Sequence, residues 1–427
     1  MALKDKKTKL TFHSGVLTIG GTVIEIRYEN SRIFFDFGAE YKPELDLKDE
    51  SLKTMLEHNL IPHLDGVYDP AFNYTYPYDH DETIEETAIF LSHVHLDHTR
   101  MLNFSDPKIP VYALKETQIL LNSLNANGDF ILPKVNPEDN PTRDINPCEN
   151  GDVVTVGDIK VTLLRVDHDA YGACGLIIET PDLNIAYTGD LRLHGFDKDD
   201  TMTYIEHAKD TDVLIIEGVT VSFDPETTNE VDASIHTEQQ LVDRFVSLQN
   251  ENPNKQITFN AYPANIKRLA EINHQSPREV VFTAEFASIL KSTIGLDVRY
   301  YEIGDVHFPL DSKFKIRYDE LLEDDHKYLW QIDRDYENLK GGGVYIHSNA
   351  VPLGPFDPAY EPFVKALEEN EVEFYELRCS GHAYPDDLQK IIDEISPELL
   401  IPIHSLKPER LVNPQGKRYL PKRGNTI

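Results

Sequence analysis

Two periods of hydrophobic spacing run through this chain, and they divide it into strand-rich and helix-bearing stretches. Thr22–Tyr28 (TVIEIRY) alternates apolar and polar positions, Asn30-Ser31 supplies turn chemistry, and RIFFDFG follows. That pattern predicts a β-hairpin at the start of the fold, with Asp36 delivered to the C-terminal edge of its second strand. Residues 40–87 are rich in Asp, Glu, Tyr and Pro and read as a long connection. AIFL (88–91) is the next strand, and it runs into His93. DIKVTLLRV (158–166), LNIAYT (183–188) and DVLIIE (212–217) are three more, ending at or just before His168, Asp190 and Glu217. A sheet holds the loops at its strand ends rigid, so chemistry-bearing side chains gathered there point to a working site.

The period changes after about residue 220. Thr237 and Gln240 have capping-box spacing ahead of QLVDRFVSL, where Leu241, Phe245 and Leu248 share one helical face. QITF (256–259) and REVVF (278–282) read as strands, alternating with helix-like ANIKRLAEI (264–272) and FASIL (286–290). This βαβα order predicts a small parallel-sheet domain at 220–342, inserted into a first domain formed by 1–219 and completed by 343–427. Lys340 and Gly341–Gly343 mark the re-entry. VYIHSN (344–349) and EFYELRCSGH (373–382) return to the strand-then-histidine pattern. Leu388, Ile391, Ile392 and Ile395 form the stripe of a packed surface helix, and LLIPIH (399–404) is the last strand.

At 427 residues the chain can build two cores, and 40% hydrophobic with 27% charged residues excludes a disordered or fibrous chain. No apolar run approaches the roughly 20 residues of a membrane span, and the N-terminus lacks the apolar stretch of a signal peptide. Cys148, Cys174 and Cys379 lie far apart without a CxxC pair, which predicts buried thiols and a reducing cytoplasm rather than a disulfide framework. The net charge of −33 argues against non-specific attraction to polyanions. The end is different: from Leu400 onward Lys407, Arg410, Lys417, Arg418, Lys422 and Arg423 face Glu409 alone, a net +5. That stretch is either a phosphate-facing patch or a solvated tail.

The chemistry centres on LSHVHLDHTR. In an extended backbone His93 and His95 project to the same side, while Asp97 and His98 can face a second ion as the chain turns. Imidazole and carboxylate suit a pair of divalent ions sharing a water, zinc or manganese by ligand type. Four ligands are too few for two ions, so His168, Asp190 in AYTGD, and His404 at the end of LLIPIH are the expected remainder. Asp36 is the expected carboxylate partner of a metal-bound imidazole.

HxHxDH, a separate histidine, TGD and a late strand-end histidine together resemble the metallo-β-lactamase superfamily. LIIEG (214–218), SGHAYPDDL (380–388) and IPIHSLKPE (401–409) resemble motifs A, B and C of its β-CASP group, which contains RNase J. The resemblance spans nearly the whole chain and is weakest in the insert. It implies an αββα sandwich with an α/β cap, one ion on His93, His95 and His168, another on Asp97, His98 and His404, and Asp190 between them. It further implies that Asp97 serves catalysis, that Glu217 and His382 pair as a proton-delivering group, and that Ser380, Gly381 and Ala383 bind substrate. Single-stranded RNA is then the implied partner, with DNA or a small ester or lactone as alternatives and a homodimer left open. Tyr384 and Pro385 stand where RNase J carries a serine of its 5′-phosphate pocket, HSLKPE stands for HGE, and the short stretch after His404 leaves no room for the RNase J C-terminal domain.

Overall fold

The computed structural model describes residues 3–81, 83–135, 140–224, 235–304, 307–324 and 326–427. The chain forms two compact units, the first made of Met1–Leu193, Asp197–Thr227 and Gly381–Ile427, the second of His194–Phe196 and Thr228–Ser380.

In the first unit, β1 (Lys9–Ser14), β2 (Val23–Tyr28), β3 (Ser31–Phe35), β4 (Glu86–Phe90), β5 (Val111–Leu114) and β6 (Asn146–Cys148) build one sheet. The hairpin expected at the start is β2–β3, antiparallel with Tyr28 opposite Ser31. A strand precedes it: the alternation in KLTFHS makes β1, which was not expected from the sequence. β3, β4, β5 and β6 run parallel, so their C-terminal ends lie along one edge. β7 (Val153–Val156), β8 (Ile159–Arg165), β9 (Cys174–Glu179), β10 (Asn184–Tyr187) and β11 (Val213–Glu217) start a second sheet.

The second unit holds one six-stranded sheet of β12 (Ile257–Ala261), β13 (Glu279–Thr283), β14 (Arg299–Tyr301), β15 (Tyr328–Gln331), β16 (Val344–Ser348) and β17 (Glu373–Glu376), in the order β14-β13-β15-β12-β16-β17 and parallel throughout. Its parallel character follows from helices that cover its strands, so the strands read as continuous apolar runs. The expected capping box is present: Thr237 accepts from the Gln240 N–H and the Gln240 side chain accepts from the Thr237 N–H. One boundary differs from the sequence reading. β16 and β17, read as the start of the returning first domain, hydrogen-bond to β12 and to each other, so the return comes at Gly381 instead of 343. A strand's partner is set by a ladder across the sheet, and nothing local in VYIHSN or EFYELR records it.

After the return, β18 (Leu399–Ile403) and β19 (Lys417–Arg418) join the second sheet beside β11, and β20 (Asn425–Thr426) pairs with β1 in the first. The two seven-stranded sheets pack face to face, with Ile24, Ile26, Ile33 and Phe35 of one meeting Val161, Ile185, Ile215 and Ile401 of the other. On the outer face of the second sheet, the helices Lys198–Ala208 and Pro385–Ile395 bury Tyr204, Ile205, Leu388, Ile391, Ile392 and Ile395. Helix Lys115–Leu124 covers β5 and β6 of the first. The first unit is therefore an αββα sandwich, as expected. Among the described residues no helix is long and apolar enough to cross a membrane, and the three cysteines are buried and form no disulfide.

Candidate metal centre

The site grows from strand ends on both sheets. β4 runs through Leu91 to Ser92, whose N–H donates to Asp36 Oδ1 at 2.7 Å, directly after β3. His93 follows, and His95 then stands at the start of a single helical turn, Leu96–Thr99, that carries Asp97 and His98. The turn is clamped by main chain: the Thr22 N–H donates to Asp97 O and the Phe37 N–H to His98 O. Gly38 is required here, because a Cβ on it would lie 1.7 Å from the Asp97 carbonyl oxygen. From the second sheet, His168 follows β8, Asp190 follows β10, Glu217 closes β11 and His404 follows β18. β10, β11 and β18 are mutually parallel, so residues far apart in sequence arrive at one edge.

All seven expected ligands converge. His93, His95, His168 and Asp190 form one group able to hold a metal ion, and Asp97, His98 and His404 form another. Asp190 lies between them: its Oδ2 is 3.6 Å from His93 Nε2, 3.3 Å from His98 Nε2 and 3.6 Å from His404 Nε2. Asp97 Oδ2 stands 3.6 Å from His98 Nε2 and 3.5 Å from His404 Nε2. His95 Nδ1 and His168 Nε2 are 3.2 Å apart.

The hydrogen bonds behind these side chains decide whether a cation fits. Buried Asp36 accepts four: the Ser92 N–H, the Ser92 hydroxyl (2.8 Å), His98 Nδ1–H (2.8 Å) and the Tyr187 hydroxyl (2.5 Å). Since the Ser92 hydroxyl donates its one proton to Asp36, it must accept from His93 Nδ1 at 2.9 Å. His168 Nδ1 donates to Gly381 O at 2.6 Å. Each of these contacts fixes a proton on Nδ1 and turns a bare Nε2 inward. Nε2 of His93 and of His98 and both carboxylate oxygens of Asp190 are buried with no partner at hydrogen-bond geometry. Buried acceptors converging on one another are costly alone, and a divalent cation satisfies them together. His404 is oriented differently, its Nδ1 lying 3.2 Å from the Gly20 nitrogen and 3.4 Å from Thr22 Oγ1.

Electrostatics points the same way. Burial, then the neighbouring imidazoles, hold His93 well below the ordinary histidine range, and burial lowers His95 and brings His168 down to about 3. Neutral imidazole is the metal-binding form. His98 departs: burial would lower it, yet Asp190, Asp97 and Asp36 outweigh burial and hold it well above that range. Those carboxylates would otherwise keep a proton on His98. Burial would raise Asp190, but His404 and His98 hold it well below the carboxylate range.

Glu217 and His382 do pair. Glu217 Oε1 accepts from His382 Nδ1 at 3.1 Å while Oε2 accepts from the Val219 N–H at 2.9 Å. His382 Nδ1 is also 3.8 Å from Asp190 Oδ2. Burial would depress His382, but the charge and hydrogen bond of Glu217, with Asp190, raise it to about 10. Of the three residues expected to bind substrate, Ala383 is fully buried, its N–H donating to Leu191 O and its carbonyl accepting from Thr220. Ser380 offers its carbonyl to His194 Nε2, and Gly381 orients His168. Gly381 and Ala383 are thus parts of the scaffold that presents His168 and His382.

Several contributors escaped the sequence reading. Ser92 and Tyr187 complete the Asp36 network. Buried Arg192 binds Asp167 Oδ1 through Nε at 3.1 Å and the His168 carbonyl through Nη2 at 3.3 Å, bracing the loop that carries His168. Asp169, on the same loop, sits beside His168 and His95. The charged partner of Arg192 could have been suspected from the acidic VDHD, but its register could not. The basic C-terminal stretch is largely tied down: Lys407 and Arg410 pair with Asp224, Arg423 pairs with Glu40, and Arg418 donates to the carbonyls of Glu409 and Leu411. It is chiefly a stitched tail.

Residues 64–252 match a beta-lactamase superfamily domain. That stretch of the chain carries a β-lactamase superfamily domain. The chain is similar to Ribonuclease J of Mycoplasma pneumoniae, with 24% identity over 93% of this chain and 68% of that protein. Ribonuclease J of Mycoplasma genitalium is also 24% identical, with the same coverage. A crystal structure of a protein of unknown function from Enterococcus faecalis V583 is similar throughout, with 49% identity, a TM-score of 0.95 and 99% of each chain covered. The superfamily domain and the His/Asp cluster together support a hydrolase centre able to bind divalent metal.

Proposed function

We propose that this protein is a dinuclear-metal phosphodiesterase that cleaves single-stranded RNA, with zinc as the resident metal and manganese able to replace it. The observation that carries this reading is the Glu217–His382 pair standing beside Asp190, at 3.1 Å within the pair and 3.8 Å to Asp190. Phosphodiester cleavage expels a 3′ alkoxide that needs a proton, and an imidazolium held beside the metal-binding groups is placed to supply it. In this reading the second unit is the β-CASP cap and the setting is the cytoplasm. Divalent ions at the two groups would supply an acidified water and positive charge for the phosphoryl oxygens. His93, His95 and His168 would hold one and Asp97, His98 and His404 the other, with Asp190 shared. Asp36 fixes the ring of His98, and Asp97 orients the attacking water. His382, kept protonated by Glu217, delivers a proton to the departing 3′ oxygen through Nε2.

A second reading has one observation in its favour. The net charge is −33, and Lys407, Arg410, Arg418 and Arg423 of the basic C-terminal stretch are engaged within the chain. Polyanion binding therefore has little surface charge to draw on, which suits a small ester or lactone. The deciding experiment is cleavage of an end-labelled single-stranded RNA and its DNA counterpart by zinc- or manganese-loaded protein, with Asp97→Ala alongside. Cleavage of RNA by the unaltered chain and loss of it in the variant supports the proposal. Protein that holds two metals yet cuts neither strand refutes it in favour of the small substrate, and cleavage of DNA alone moves the substrate to DNA.

A further inference from the structure

Three of the inward-facing histidines share one arrangement, and His95 breaks it. His93, His98 and His168 each place Nδ1 against an outer acceptor, namely the Ser92 hydroxyl, Asp36 and Gly381 O. His95 instead turns Nδ1 inward, 3.2 Å from His168 Nε2. Its Nε2 lies 3.4 Å from Asp169 Oδ1. An imidazole that binds through Nδ1 must carry its proton on Nε2, and that proton needs an acceptor.

We infer that Asp169 is the positioning residue of the three-histidine site, accepting the Nε2 proton of His95 and so committing Nδ1 to the metal. This rests on the reading of the cluster as a metal centre. The carboxylate is held for that task. Its Oδ1 is buried with no partner at hydrogen-bond geometry. It is pressed against Gly381, where an added Cβ would come within 2.5 Å of both Asp169 Cγ and Oδ1, so the glycine of SGH leaves room for it. Its loop is braced on the other side by Arg192, which grips Asp167 and the His168 carbonyl. The same glycine thus orients His168 through its carbonyl and accommodates Asp169 through its missing side chain. Asp169 Oδ1 is also 3.4 Å from His168 Nε2, so a direct ligand role is the competing assignment.

The test is zinc titration of the full chain, stripped with chelator, against a chromophoric competitor, for the unaltered protein, Asp169→Ala and Asp169→Asn. Circular dichroism verifies that each is folded. A positioning role predicts two zinc equivalents in all three, with one site weakened about 10- to 100-fold in Asp169→Ala. Asp169→Asn keeps an oxygen able to accept the Nε2 proton and is expected to recover at least half of that loss on a logarithmic scale. Unchanged affinity in Asp169→Ala overturns the inference. Loss of a whole equivalent also overturns it, making Asp169 a ligand. An unaltered protein that binds no zinc overturns the metal centre itself, and the inference with it.

Discussion

Asp36 offers the sharpest probe of how this centre is held. It accepts four hydrogen bonds while fully buried, so Asp36→Ala strands the Ser92 N–H, the Ser92 hydroxyl, the Tyr187 hydroxyl and His98 Nδ1–H at once. Each orphaned buried donor costs about 1–3 kcal/mol. The two hydroxyls can rotate toward other acceptors, so the expected loss of stability is about 2–4 kcal/mol, read by urea unfolding in excess chelator. Asp36→Asn separates stability from metal binding. The amide oxygen can still take the Ser92 N–H, but its NH2 would meet His98 Nδ1–H and the Tyr187 hydroxyl as donor against donor. The way out is for His98 to move its proton to Nε2, the atom that faces Asp97 and Asp190. Zinc affinity at that site should then fall about 10- to 100-fold, which is about 1.4–2.7 kcal/mol, while the chain stays folded. Competition against a chromophoric chelator measures this. An Asp36→Asn protein with two sites of unchanged affinity would refute the argument that this carboxylate sets the His98 tautomer.

Three further expectations follow from the same contacts. His382→Ala should retain both zinc equivalents and slow RNA cleavage by about 10²- to 10⁴-fold, the usual worth of a general acid; metal loss instead would make His382 a ligand. Glu217→Gln removes the first of the charges that hold His382 up at about 10. The acting form of His382 is the protonated one, lost as pH rises through its folded value, so lowering that value must move the alkaline limb of the kcat profile to lower pH; a limb that stays put, or moves up, contradicts the pairing. In the second unit, Glu238 and Arg268 are both fully buried and paired at 2.7 Å, so Glu238→Ala leaves a buried guanidinium uncompensated. Unfolding of the full chain in urea should show a loss of about 3–5 kcal/mol in the transition of that unit.

Much of this was legible in the amino-acid sequence, and for a physical reason. Side-chain direction in a strand or a turn depends on the local backbone, so the spacing in LSHVHLDH commits His93, His95, Asp97 and His98 to one small volume before any tertiary contact forms. Alternation and apolar runs likewise marked β2, β3, β4, β8, β10, β11 and β18, and with them the strand ends that carry Asp36, His168, Asp190, Glu217 and His404. The capping box and the stripe Leu388–Ile395 are local in the same sense. What the sequence could not settle was which distant residues meet. β16 and β17 carry the same strand-then-histidine signature as the first unit's strands, and only their ladders to β12 place them in the second. Tyr187 reaches Asp36 across 151 positions, Gly381 reaches His168 across 213, and Arg423 reaches Glu40 across 383. Asp169 is one more acid in an acidic chain until folding sets it beside Nε2 of His95. The types and spacing of the candidate ligands were written in short-range geometry, whereas most of the proton positions that would make them usable were decided by contacts between distant segments, which strand pairing and sheet packing create and local backbone does not encode.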